Sequence, residues 1–169
     1  MTVLFSVLSL ALFMIGCNAA EATAIAPFVG MKEQVRTMCA RCSTAAKSKE
    51  AYRIGKVLVA YDTGEIDGWS MSTDYMDGLI ATTPADVGTL VCVGEAEKEV
   101  DTSFKYGDGT LAYRVKRSVC VIDYSTGEVL YKEMLYGGPP PYYLQKGINY
   151  GDDPKGFELH NFVGHLEEK

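Results

Sequence analysis

A change of hydrophobic period near residue 50 constrains this chain most. Met31, Val35, Met38, Cys39, Cys42 and Ala46 recur at helical spacing, while Lys32, Glu33, Arg36, Arg41 and Lys47 occupy the opposite side. That is one apolar helix face, and it predicts a helix over 30–48. From Lys56 onward the pattern is that of strands. Lys56-Val57-Leu58-Val59-Ala60-Tyr61 and Gly88-Thr89-Leu90-Val91-Cys92-Val93 are short β-branched runs of the kind buried in a sheet. Lys98 to Tyr106 alternates before a Gly107-Asp108-Gly109 turn, and Ala112 to Asp123 and Glu128 to Leu135 flank Ser125-Thr126-Gly127. The expected class is α+β, an N-terminal amphipathic helix packed on an antiparallel sheet of about five or six strands. Gly137-Gly138-Pro139-Pro140-Pro141 ends regular structure at 145, since three prolines offer no N–H to a ladder. Beyond it, 146–169 is a tail in which Phe157, Leu159, Phe162, Val163 and Leu166 pack as a short helix or strand.

The N-terminus carries an address. Residues 2–16 hold no charge and form an apolar run that ends at Cys17. As a helix it would span about 22 Å, short of a hydrocarbon core of about 30 Å, so it reads as the apolar region of an export signal. Met14-Ile15-Gly16-Cys17 resembles the lipobox of bacterial lipoproteins, in which the cysteine is lipidated and becomes the new N-terminus. The resemblance implies a 1–16 signal, lipid on Cys17 and a tether over 17–29. Ala20-Glu21-Ala22 offers an ordinary signal-peptidase site instead, and an uncleaved anchor is the third reading. All three place the domain outside the cytoplasm, lipid-anchored to the cell membrane or else secreted or periplasmic.

With a net charge of −6 and no Lys/Arg cluster, the chain is unsuited to a phosphate backbone or an anionic lipid surface. Nucleic acid is excluded as a partner, and the membrane is reached only through the N-terminal signal or lipid. Eleven Tyr against six Phe and one Trp suit a sheet with a half-wet face.

One internal echo links Tyr61-Asp62-Thr63-Gly64-Glu65-Ile66 to Tyr124-Ser125-Thr126-Gly127-Glu128-Val129, 63 residues apart. It reads as two hairpins of one sheet, with glycine supplying positive φ. The segment from Ala112 through Pro141, with its Tyr-rich strand, Thr-Gly hairpin and Gly-Gly-Pro-Pro end, resembles uncharacterised exported bacterial domains. The resemblance implies an exported α+β domain and no activity.

Few residues offer chemistry. Asp62-Thr63-Gly64 resembles the Asp-Thr-Gly of aspartic proteases, where two copies share a proton between carboxylates. Glu65 follows where that family has a small residue, and the second copy has Ser125 in place of the acid, so the turn reads as structural. Cys39-Ala40-Arg41-Cys42 is a CxxC, yet it lies late in the expected helix without the preceding strand of a thioredoxin-like site. A zinc ribbon would need a second CxxC, which Cys92 and Cys120 do not form. Without Cys17 four cysteines remain, an even number suited to disulfides in an oxidising compartment. An i, i+3 bridge is strained inside a helix, so the favoured pair is Cys92 with Cys120, in neighbouring strands. His160 and His165 fall on different helix faces and read as surface residues. No phosphate loop or Gly-x-Ser-x-Gly is present, and neither a cofactor nor a metal is expected. The expectation is a non-enzymatic binding or assembly domain of the cell envelope, with an envelope protein or a small ligand as partner. The alternatives are an aspartic-protease-type hydrolase using Asp62 and a thiol–disulfide protein using Cys39 and Cys42.

Overall fold

The computed structural model describes residues 19–44, 51–72, 76, 78–144 and 148–169. Cys17, the leader and the last part of the expected helix, 45–48, lie outside them. The fold is mixed α+β. Helical residues 19–25 and a 3-10 segment, Ala26–Met31, lead into α1 (Lys32–Cys39), and a second 3-10 turn follows over Ala40–Ser43. The strands are β1 (Tyr52–Arg53), β2 (Lys56–Tyr61), β3 (Val87–Val93), β4 (Glu97–Lys105), β5 (Leu111–Asp123), β6 (Val129–Tyr136) and β7 (Glu167–Glu168). Two more helices are α2 (Gly68–Ser72) and α3 (Phe157–Gly164).

Five strands form one sheet in the order β2-β3-β5-β4, with β6 on the other side of β5. β2 and β3 run parallel, which corrects the expectation of an antiparallel sheet. The parallel pair needs a long crossover, and residues 62–86 supply it through α2 and a 3-10 turn at Pro84–Asp86. The 13-residue β5 is long enough to pair β3 near its C-terminal end and β4 near its N-terminal end.

The strands β2 and β3 are apolar without alternation because both faces of the sheet are covered. On one face Leu58, Leu90 and Ile122 share a buried cluster with Phe28, Met31, Val35 and Met38. On the other, Val59, Val91 and Val121 pack with Leu159, Val163 and Leu166. The tail is therefore part of the domain, ordered as α3 and as β7, which pairs β1. Phe157 stays exposed. Phe28, within the 17–29 span expected as a tether, is wholly buried.

The echoed turns differ in form but share a neighbour. Residues 124–128 close a true β5–β6 hairpin, whereas the first turn makes a single bridge, Ala60 with Ile66, before the chain leaves the sheet. Both dock on the N-terminal helical segment. A Cβ on Gly64 would fall 2.3 Å from the Lys32 carbonyl oxygen, and the Gly127 carbonyl accepts from Arg41 Nη1 at 3.0 Å. Both glycines have positive φ, 86° and 71°.

Candidate functional site

The sequence-derived candidates Asp62, Cys39, Cys42, Cys92 and Cys120 all line one cleft of about 600 Å³. Its walls are the 3-10 turn after α1, the β5 residues Ser118 and Cys120, and Lys132 and Met134 of β6. The cysteines are paired as Cys39–Cys92 and Cys42–Cys120. This overturns the expected Cys92–Cys120 bridge, although the two are direct cross-strand partners. The reason is geometric. The N–H of Gly94 donates to Ser118 and that of Tyr124 to Gly88, so Cys92 and Cys120 occupy a hydrogen-bonded pair, with Cα atoms about 5.5 Å apart. Three residues of 3-10 turn advance about 6 Å and bring side chains i and i+3 into line. Cys39 and Cys42 thus match the strand spacing, and each takes the strand cysteine below it.

Asp62 is exposed at the rim, with its N–H bonded to the Val93 carbonyl. The cleft's other carboxylate, Glu133, accepts from the Tyr131 hydroxyl at 3.2 Å.

A second cleft, of about 640 Å³, is lined by residues the sequence did not single out. They include Tyr61, Asp67, Trp69, Asp152, Asp153 and Lys155. Asp67 precedes α2 and is buried, accepting from the Ser70 hydroxyl and from Tyr61 Oη at 3.4 Å. Burial, reinforced by the Asp67 charge, pushes the Tyr61 hydroxyl up to about 12, so it stays a neutral donor. Arg117 on β5 clasps Asp153 through two bonds, Nε at 2.7 Å and Nη2 at 2.8 Å, and its Nη1 donates to the Gly94 carbonyl. Burial pushes the Asp153 carboxyl up, but the Arg117 bonds and the Lys155 N–H overcome this and hold it below the usual carboxylate range.

The Gly-Gly-Pro-Pro segment positions the acids. A Cβ on Gly137 would lie 1.7 Å from the Asp152 carbonyl oxygen, so only glycine admits the 151–153 backbone there. Above these groups stands Trp69, 44 % exposed, its ring edge-on to His160 with centroids 4.1 Å apart. His160 is buried rather than on the surface as expected, and burial lowers its basicity. His165 is exposed, with Nδ1 2.6 Å from the Asn161 carbonyl oxygen. A lone Trp directly after Asp67-Gly68 was the available signal for this site.

Among the described residues no group of His, Cys, Asp or Glu is placed to hold a metal, and no helix is long and apolar enough to cross a membrane. No known protein family matches the chain, and neither a curated protein nor a solved structure resembles it significantly.

Proposed function

We propose that this protein is an exported, non-enzymatic binding domain that takes a small hydroxyl-rich ligand in the Trp69 cleft. The observation that carries the reading is the exposed Trp69 indole beside polar groups already fixed by internal partners. Tyr61, Asp67 and Asp153 are held by Asp67, Ser70 and Arg117, so a ligand meets a preorganised site. The indole offers an apolar face, and the exposed Asp152 and Lys155 offer an acceptor and a donor at the rim. Two disulfides joining the N-terminal helical segment to the sheet support a location outside the cytoplasm. Lipidation at Cys17 remains part of the proposal, and loss of palmitate labelling in Cys17→Ala tests it.

Trp69 is the chain's only tryptophan, so tryptophan emission at a fixed pH reports the surroundings of this one residue of the cleft. Titration with soluble cell-wall oligosaccharides should shift or quench the emission saturably, and Trp69→Ala should abolish binding measured by calorimetry. Binding that survives Trp69→Ala unchanged, or no response to any oligosaccharide, overturns the reading.

A further inference from the structure

We infer that the Cys42–Cys120 disulfide is an exchange site for a peptide-borne thiolate, and that the four cysteines form a relay with two alternative pairings. This goes beyond ligand binding at Trp69 and does not depend on it.

Three observations converge. First, accessibility differs among the cysteines. All four line the cleft of about 600 Å³, but Cys39, Cys92 and Cys120 are only 3–4 % exposed, whereas Cys42 is half-buried. An incoming thiolate therefore meets Cys42 Sγ first. Second, Lys132 faces Cys120 directly across β5 and β6 and lines the same cleft. A cation beside the departing sulfur lowers its pKa and favours it as the leaving thiolate. Third, the unbonded pairs are also within bridging reach. Cys92 and Cys120 are cross-strand partners, and Cys39 and Cys42 are separated by one helical turn that tightens to 3-10 after Cys39.

The steps balance without an oxidant. The peptide thiolate attacks Cys42 Sγ, breaking Cys42–Cys120; a mixed disulfide forms on Cys42 and Cys120 leaves as thiolate. Cys120 attacks Cys92 Sγ, forming Cys92–Cys120 and expelling Cys39. Cys39 attacks Cys42 Sγ, forming Cys39–Cys42 and returning the peptide thiolate. Two disulfides enter and two leave. The product joins helix to helix and strand to strand, so the segment carrying Cys39 and Cys42 is no longer tied covalently to the sheet that floors the cleft.

Glutathione, a tripeptide thiol, is the probe. The oxidised protein is incubated with it, quenched with acid and N-ethylmaleimide, and mapped by mass spectrometry over time. The first adduct should lie on Cys42, followed by Cys39–Cys42 and Cys92–Cys120 peptides as the adduct declines. In Cys39→Ala/Cys92→Ala the adduct on Cys42 should interchange only with the Cys42–Cys120 bridge and pass no further, and Lys132→Gln should slow its formation several-fold. A first adduct on Cys39 or Cys92 overturns the inference. So does bridge opening no faster than global unfolding followed by circular dichroism. Should the double variant fail to fold, the wild-type time course and Lys132→Gln decide alone.

Discussion

Trp69 and His160 lie edge-on with ring centroids 4.1 Å apart, joining the short helix of the β2–β3 crossover to the C-terminal helix. The contact makes the indole a reporter of the imidazole's charge. Burial holds His160 below the ordinary histidine value, against a smaller opposing pull from a Gly156 backbone hydrogen bond and the Asp67 charge. The unfolded chain therefore takes its proton first as pH falls. Stability from neutral His160 is complete above about 6.5 and declines as pH drops from there toward the folded value. Tryptophan emission should change with a midpoint below 6.5, and His160→Gln should remove that transition. A midpoint above 6.5 would contradict the burial argument.

Gly64→Val should destabilise by about 2 kcal/mol or more, because positive φ is strained for a β-branched residue and the Cβ would meet the Lys32 carbonyl. Gly127→Val should cost less, about 1 kcal/mol, since the Cβ meets the movable Arg41 guanidinium. Asp62→Asn should leave stability nearly unchanged. Urea denaturation checks all three.

Arg117→Ala leaves Asp153 half-buried without its bidentate partner and frees the Gly94 carbonyl. The expected loss is about 2 kcal/mol. The depressed Asp153 carboxyl contributes stability that is complete above about pH 4 and lost as pH falls through its lower folded value. Asp153→Asn should therefore flatten the acid limb of the stability profile, as thermal melts between pH 2 and 6 would read it.

Local pattern made the strands legible: β2 was expected over Lys56–Tyr61 and spans it, β3 and β5 differ by one residue at one end, and β4 and β6 are shifted by one residue at both ends. What pattern does not encode is pairing. The parallel β2–β3 partnership depends on how the crossover folds, and the disulfide pairing depends on where a helix axis crosses two strands. The Cys92–Cys120 expectation placed the strands correctly as neighbours, but the 3-10 turn that aligns Cys39 with Cys42 has no sequence mark. Pattern alone places Phe28 in the tether and leaves α3 open between helix and strand, because a buried residue beside Pro27, and a helix with apolar residues on several sides, carry weak periodicity. The Trp69 cleft draws on residues 61, 67, 69, 117 and 153, which only the fold brings together.

Closing the 53-residue loop between Cys39 and Cys92 is worth about 4 kcal/mol through the unfolded chain, so Cys39→Ala/Cys92→Ala should lower the urea midpoint sharply. The reduced wild type should behave likewise. An unchanged midpoint would mean that the bridge constrains nothing.

The most direct measurement is non-reducing peptide mapping of the protein taken from its own cells and alkylated at harvest. An exported domain with its N-terminal helical segment bonded to the sheet should yield Cys39–Cys92 and Cys42–Cys120 as the dominant linked peptides. Four alkylated thiols at Cys39, Cys42, Cys92 and Cys120 would contradict both the address and the bonded fold.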